Sequence, residues 1–124
     1  MSGPGGGDLM LEVDLADLDV GEMTALTAGD RRILICHTRD GVFAIDDRCS
    51  HADAHLCEGR LRGLRVTCPL HGAAFDVRSG AVLKGPARQP VRAYPVRRDG
   101  ARAWVTVPGD APDADAAGDR AVID

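Results

Sequence analysis

Cysteine and histidine are concentrated in two short segments near the middle of the chain. The first segment reads Cys49-Ser-His51, and the second, after a spacer of sixteen residues, reads Cys68-Pro-Leu-His71. Each segment offers one thiolate and one imidazole, and both groups are ligands for transition metals. The two segments could give one ligand each to two adjacent metal ions, or all four ligands to a single ion. No other feature restricts the fold so strongly, because the fold must bring these two segments together.

The rest of the pattern predicts an all-β protein, since short apolar runs alternate with turn signals. Residues Ile33 to Cys36 are apolar throughout, as in a strand that is covered on both faces. The Asp40-Gly41 pair then predicts a hairpin into the next strand. Segments with strand character cover residues 9–13, 23–27, 33–36, 42–45, 75–77, 81–83, 91–96 and 103–107. Only residues 46–71, which contain most of the Cys and His, lack a regular strand pattern.

The charge of the chain lies at its C-terminal end. Residues 109–124 contain five Asp and one Arg, which accounts for the whole formal net charge of -4. This segment is poor in large apolar residues, so we expect it and residues 1–7 to be disordered, with one domain over residues 8–108. No run of residues is long and apolar enough to span a bilayer, and residues 1–7 do not resemble a secretory signal. We therefore expect a cytoplasmic protein that does not bind nucleic acid, with thiols rather than disulfides.

Three interpretations of the Cys and His pattern compete. A structural zinc site normally uses Cys pairs and His pairs with wider internal spacings than Cys49-Ser-His51. Incidental core Cys and surface His are a second interpretation, but two mixed pairs in one short segment rarely arise by chance. A Rieske [2Fe–2S] centre is the third, because there two Cys hold one iron and two His hold the other.

The sequence resembles the Rieske ferredoxin family. The matching segments are Cys49-Ser-His51, Glu58-Gly59, the run Cys68-Pro-Leu-His-Gly-Ala-Ala-Phe-Asp76, Ser79-Gly80, Gly85-Pro86 and Tyr94-Pro-Val96. The resemblance implies an antiparallel β-sandwich with a cluster-binding subdomain of two loops, over about residues 46–76. It implies one [2Fe–2S] cluster per chain, with Cys49 and Cys68 on the inner iron and His51 and His71 on the outer iron. Gly85-Pro86 matches a proline-containing loop that covers the cluster from a third side.

Within this family the chain resembles the low-potential ferredoxins that serve aromatic-ring-hydroxylating oxygenases. High-potential members add a disulfide between the two loops, at positions occupied here by Ala54 and Leu70. They also place hydroxyl donors at positions occupied here by Ala73 and Phe75. We therefore expect a reduction potential near the low end of the Rieske range of roughly -150 to +300 mV.

The resemblance implies a one-electron carrier rather than an enzyme. Its partners would be a flavin-dependent NAD(P)H ferredoxin reductase and a terminal Rieske-type oxygenase, and we expect a monomer. The alternative is a small electron-transfer subunit of a larger oxidoreductase, such as nitrite reductase or arsenite oxidase. The other Cys and His are interpreted as bystanders: Cys36 as a buried thiol, Cys57 as a packing residue, and His37 and His55 as solvated side chains.

Overall fold

The computed structural model describes residues 8–50, 54–70 and 72–108, and within these ranges the regular structure is almost entirely β. The segments expected to be disordered, 1–7 and 109–124, lie outside the described residues. Two short 3₁₀ helices occur, Leu15–Asp17 and Leu56–Glu58. The strands are β1 (Leu9–Asp14), β2 (Met23–Ala28), β3 (Arg31–Thr38), β4 (Gly41–Asp46), β5 (Arg60–Arg62), β6 (Arg65–Thr67), β7 (Ala74–Asp76), β8 (Val82–Lys84), β9 (Ala93–Tyr94), β10 (Val96–Asp99) and β11 (Arg102–Val107).

The strands form three antiparallel sheets. One has the order β1-β11-β10, the second β2-β3-β4-β9, and the third β5-β6-β7-β8. The first two sheets pack on each other, and the third, with the irregular segment before it, forms a subdomain. This arrangement confirms the all-β prediction. In the part of the chain that the structure describes, no helix is long and apolar enough to cross a membrane.

Strand β3 lies between two apolar cores, which explains its unbroken apolar run. Leu34 and Cys36 face the core of the third sheet, whereas Ile33 and Ile35 face the core shared by the first two sheets. All four side chains are fully buried. Successive side chains of a strand point to opposite faces, so a strand that is covered on both faces needs apolar residues at every position.

Three local expectations were wrong or incomplete. Residues 46–71 were expected to lack strands, but they contain β5 and β6. The run 91–96 is not one strand, because it divides at Pro95 into β9 of one sheet and β10 of another. His37 is not solvated: it lies in β3, it is buried, and its Nδ1 is 2.6 Å from the carbonyl oxygen of Leu18. That carbonyl accepts a hydrogen bond and so replaces the solvent that a buried imidazole loses.

Candidate metal centre

The two segments that carry the Cys and His motifs close in the same way. The backbone N–H of Cys49 donates to the carbonyl oxygen of Ala54 at 2.9 Å, and that of Cys68 donates to Ala73 at 2.7 Å. In both segments, the backbone N–H of the cysteine is bonded to the carbonyl oxygen of the residue five positions later. We call residues 48–55 the first loop and residues 67–74 the second loop.

The flanking residues extend this equivalence. Arg48 and His55 form an antiparallel bridge at the base of the first loop. Thr67 and Ala74 pair in the same way at the base of the second loop, where β6 meets β7. The two loops therefore have the same length in sequence and the same antiparallel pairing at the base, provided by a single bridge in the first loop and by the β6–β7 ladder in the second. A histidine of the predicted ligand set stands inside each loop in the sequence.

Both predicted cysteine ligands lie in the same apolar core. Cys49 is 3% exposed and Cys68 is 2% exposed, and neither forms a disulfide. His51 and His71, the predicted histidine ligands, lie outside the described residues. Within residues 8–50, 54–70 and 72–108, no three Cys, His, Asp or Glu side chains come close enough together to hold a metal ion.

A buried carboxylate supports the first loop. Asp47 is fully buried, and its Oδ2 lies 2.7 Å from Nε of Arg32, which is half exposed on β3. The other oxygen of Asp47 accepts a hydrogen bond from the backbone N–H of Cys57 at 2.8 Å. The backbone carbonyl of Asp47 also accepts from the N–H of Leu56, at 2.6 Å. Asp47 thus fixes the chain on both sides of the first loop.

Asp47 was not among the residues that the sequence singled out. Two adjacent Asp residues directly after an apolar strand were a usable signal, because one of them must point into the protein. Its partners could not be inferred in the same way. Arg32 is fifteen residues away in sequence, and the contact depends on the pairing of β3 with β4.

A third segment contacts the first loop. The hydroxyl of Ser50 donates to the backbone carbonyl of Gln89 at 2.6 Å. Gln89 follows the Gly85-Pro86 pair, so this bond brings the proline-containing segment to the side of the first loop. The expectation that this segment lies next to the two loops is consistent with that contact.

The Glu58-Gly59 pair of the motif has a steric explanation. A Cβ atom at Gly59 would stand 1.8 Å from the carbonyl oxygen of Thr67, which no real side chain could tolerate. Gly59 therefore lets the chain that leaves the first loop approach the residue directly before Cys68. The glycine sets how closely the two loops come together.

The remaining cysteines and histidine differ in their surroundings. Cys36 is fully buried in β3, as expected, and burial raises the pKa of its thiol to about 12. Cys57 is half-buried, and its pKa is raised chiefly by loss of solvent, against a lowering effect of Arg32. His55 is exposed, as predicted. Thiols with a raised pKa are poor nucleophiles at neutral pH, so neither Cys36 nor Cys57 has the character of a reactive cysteine.

The family model that describes the Rieske [2Fe-2S] domain matches residues 9–95. The chain belongs to this family. The biphenyl 2,3-dioxygenase ferredoxin component of Rhodococcus jostii (strain RHA1) is 41% identical over 93 residues, which cover 75% of this chain and 87% of that protein. The cofactor of the chain is accordingly a Rieske-type [2Fe–2S] cluster.

Solved structures give the same result. The ferredoxin of carbazole 1,9a-dioxygenase from Nocardioides aromaticivorans IC177 is 39% identical, with a TM-score of 0.72, and the match covers 75% of this chain and 91% of that one. The complex of reduced oxygenase and oxidized ferredoxin in carbazole 1,9a-dioxygenase contains a chain that is 28% identical, with a TM-score of 0.74 and coverages of 77% and 91%. These similarities confirm the predicted Rieske fold.

The alternative subunit role has only a fold-level parallel. A putative NADH-dependent nitrite reductase small subunit from Mycobacterium tuberculosis is 21% identical, with a TM-score of 0.70 and coverages of 80% of this chain and 95% of that one. At this identity the similarity concerns the fold alone.

The described residues fit the cluster that the family carries. Cys49 and Cys68 form no disulfide, lie buried in one apolar core and belong to two equivalent loops, and thiolate sulfur is the preferred ligand of iron in such clusters. Ala54 and Leu70, at the positions of the inter-loop disulfide of high-potential members, carry no thiol, so that bridge is absent. Ala73 and Phe75 stand at the positions of the hydroxyl donors of high-potential members, and both side chains are fully buried.

Proposed function

We propose that residues 8–108 form a one-electron carrier of an aromatic-ring-hydroxylating oxygenase system. Cys49 and Cys68 would hold one iron of the cluster, and His51 and His71 the other. The carrier would accept electrons from a flavin-dependent NAD(P)H ferredoxin reductase and pass them to a terminal Rieske-type oxygenase, acting as a cytoplasmic monomer. The observation that carries this proposal is the matched closure of the two loops, each of which contains one Cys and one His of the motif.

The chain's own residues provide a rigid and partly dry setting for this chemistry. When bound, the cluster supplies reversible transfer of a single electron. Cys49 and Cys68 keep their sulfur atoms away from water in an apolar core, which protects the metal–thiolate bonds from hydrolysis and protonation. The bonds from Cys49 to Ala54 and from Cys68 to Ala73 fix both cysteine backbones, so little reorganisation accompanies a change of charge.

We further propose a low reduction potential. Hydrogen bonds to the sulfur atoms stabilise the more negative, reduced form and so raise the potential. Ala73 and Phe75 provide no hydroxyl groups for such bonds. The midpoint potential of the purified holoprotein, measured by voltammetry, is expected below zero; a value well above zero would contradict this part of the proposal.

The ligand assignment is tested with single variants of the holoprotein. Cys49→Ser, Cys68→Ser, His51→Ala and His71→Ala are each expected to lose the visible absorption and the rhombic electron paramagnetic resonance signal of the reduced Rieske cluster. The matched control is Cys57→Ser, which removes a nearby cysteine that is not in the ligand set. A cluster that is lost in the control, or kept in a ligand variant, would refute the assignment.

The carrier role is tested with defined partners. The holoprotein is mixed with NADH, the reductase and the terminal oxygenase of a carbazole 1,9a-dioxygenase system, in place of that system's own ferredoxin. Electron transfer is followed by the appearance of hydroxylated product. Product that depends on this protein supports the role, and reduction by dithionite without any reduction by the reductase counts against it.

A further inference from the structure

Charge is distributed unevenly between the two ends of strands β3 and β4. One end, which we call the cluster end, consists of the first loop, the second loop and the segment 85–92. The opposite end, which we call the distal end, consists of the turn between β3 and β4, the turn between β10 and β11, and the 3₁₀ helix Leu15–Asp17. The register of β3 with β4 separates them, because Ile33 pairs with Asp46 near the first loop and Thr38 pairs with Gly41 far from it.

Exposed arginines surround the cluster end. Arg48 lies at the base of the first loop, and Arg60 pairs with Thr67 at the base of the second loop. Arg88 precedes Gln89, whose carbonyl is bonded to the first loop. Arg92 is the fourth. Its backbone N–H donates to the carboxylate of Asp46 at 3.3 Å, and Asp46 lies two residues before the first loop. All four arginine residues are exposed. These four exposed residues therefore lie on several sides of the two loops, and the guanidinium of Arg92 stacks over the ring of Tyr94.

Two of the four described carboxylates nearest to the cluster end are engaged inside the protein. Asp47 is buried against Arg32, and Asp46 accepts a hydrogen bond from the hydroxyl of Tyr94. Only Asp30 and Glu58 present exposed carboxylates there among the described residues. Against these two carboxylates stand five exposed cations at the cluster end: the four arginines above and Lys84, which pairs with Ala74 at the base of the second loop. The field at the cluster end is therefore positive.

The distal end is acidic. Residues 14–22, which lie at this end, contain four Asp and Glu and no Lys or Arg. Asp17, Asp19 and Glu22 are exposed, and the bonds of His37 to the backbone of Leu18 and Glu22 hold this segment beside the far end of β3. Since residues 8–108 carry 14 acidic and 14 basic residues, the asymmetry gives this domain a dipole rather than a net charge.

We propose that the cluster end docks on an acidic surface of the redox partner. This inference rests on the proposed function and specifies the chemistry of the partner's docking site. A charge dipole orients a diffusing protein in the field of its partner before contact. Complementary charge on the two surfaces also raises the rate of productive encounter. An acidic partner surface attracts the end at which the two loops lie and repels the distal end. The same arginines make docking weak at high salt, which suits a carrier that must leave quickly.

An electrode surface of defined charge tests this orientation without a named partner. The full-length holoprotein is studied by voltammetry on gold that carries a carboxylate-terminated or an amine-terminated alkanethiol monolayer of equal length. At low ionic strength the electron-transfer rate constant is expected to be at least about tenfold larger on the carboxylate surface. Raising the salt from about 0.01 M to about 1 M, which shortens the Debye length from roughly 30 to roughly 3 Å, is expected to remove the difference.

Two double variants with the same net charge complete the test. Arg60→Gln/Arg88→Gln removes charge from the cluster end, and Arg39→Gln/Arg98→Gln removes charge from the distal end. The first is expected to lose most of the preference for the carboxylate surface, whereas the second keeps or increases it. Equal rates on the two surfaces, faster transfer on the amine surface, or equal effects of the two double variants would overturn the inference. Failure of the proposed function would be distinct, because no product would then form in the reconstituted oxygenase system, whatever the charge preference on the electrode.

Discussion

The first and second loops have the same closure but different supports. The second loop joins β6 to β7, and its base packs on the fully buried side chains of Val66 and Phe75. The first loop has no comparable sheet on its C-terminal side, where a single bridge and a 3₁₀ helix follow. A buried carboxylate, Asp47, takes the place of that sheet through its bonds to Arg32 and Cys57.

The difference shows two ways to hold equivalent geometry. Packing of apolar side chains stabilises a loop because it removes apolar surface from water, and this effect does not depend on the direction of any one contact. Polar support depends on a few directed bonds, and losing one partner leaves the other unsatisfied. We therefore expect the second loop to respond to changes of volume and the first loop to respond to changes of charge and hydrogen bonding.

The largest effect is expected for Phe75→Ala. Phe75 is fully buried, and truncating a buried aromatic side chain costs about 4 kcal/mol through lost burial and the cavity left behind. Unfolding of the holoprotein in urea, followed by circular dichroism and by cluster absorbance, is expected to shift to much lower urea concentration. Leu70→Ala is the control: this side chain in the second loop is 56% exposed, so its truncation is expected to change stability by no more than about 0.5 kcal/mol. Equal effects of the two variants would contradict apolar support of this loop.

Asp47→Ala is expected to cost about 3 kcal/mol, because it removes the acceptor of a backbone bond to Cys57 and the partner of Arg32. The cluster is expected to be lost at lower urea concentration than in the unchanged protein. Asp47→Asn keeps an oxygen for the N–H of Cys57 but removes the charge, and it is expected to recover part of the loss. If Asn restored nothing, or if Ala were harmless, the first loop would not depend on directed bonds as we infer.

The sequence predicted the parts of this molecule whose signals are local. The hairpin at Asp40-Gly41 depends on neighbouring residues, and the burial of β3 on both faces is visible in its apolar run. Strands β5 and β6 could not be identified because each has three residues and places only one side chain, Leu61 or Val66, toward the core. A period of two residues cannot be recognised from one inward position.

The candidate site, too, was predictable from the sequence only where its signals are local. The Cys and His motif identifies the loops because all four predicted ligands lie in two short segments of the sequence. The support beneath the first loop was not predictable, since Asp47 meets Arg32 only after β3 and β4 have paired. His37 was misplaced for a related reason: its buried position depends on the carbonyl of Leu18, nineteen residues earlier in the chain.

A smaller effect is expected for Ser50→Ala, which removes the bond between the first loop and the carbonyl of Gln89. The bond lies at an exposed position where water can replace the hydroxyl, so the expected loss of stability is about 1 kcal/mol or less. Amide hydrogen exchange should increase in the segment 85–92 and remain unchanged in the second loop. Faster exchange in the second loop as well would show that the two loops are coupled through this segment.

The last prediction concerns a titration at the hydrogen bond between Tyr94 of β9 and Asp46, which lies on the strand that leads into the first loop. Burial raises the pKa of Tyr94 to about 12, and the neighbouring carboxylate of Asp46 adds to the increase. The ordinary value is about 10, so the neutral phenol is favoured in the folded state. This contribution to stability is complete below about pH 10 and is lost as the pH rises toward about 12.

Tyr94 is the only tyrosine of the chain, so phenolate formation can be followed directly by ultraviolet difference absorbance. Asp46→Asn removes the neighbouring negative charge and is expected to bring the transition closer to the ordinary value, while Asp99→Asn, a change of the same charge at the distal end, is expected to leave it in place. A transition that moves equally in both variants would mean that overall charge, rather than the contact with Asp46, sets the titration. The polar contacts that support the first loop would then end at Asp47 and would not include the hydrogen bond between Asp46 and Tyr94.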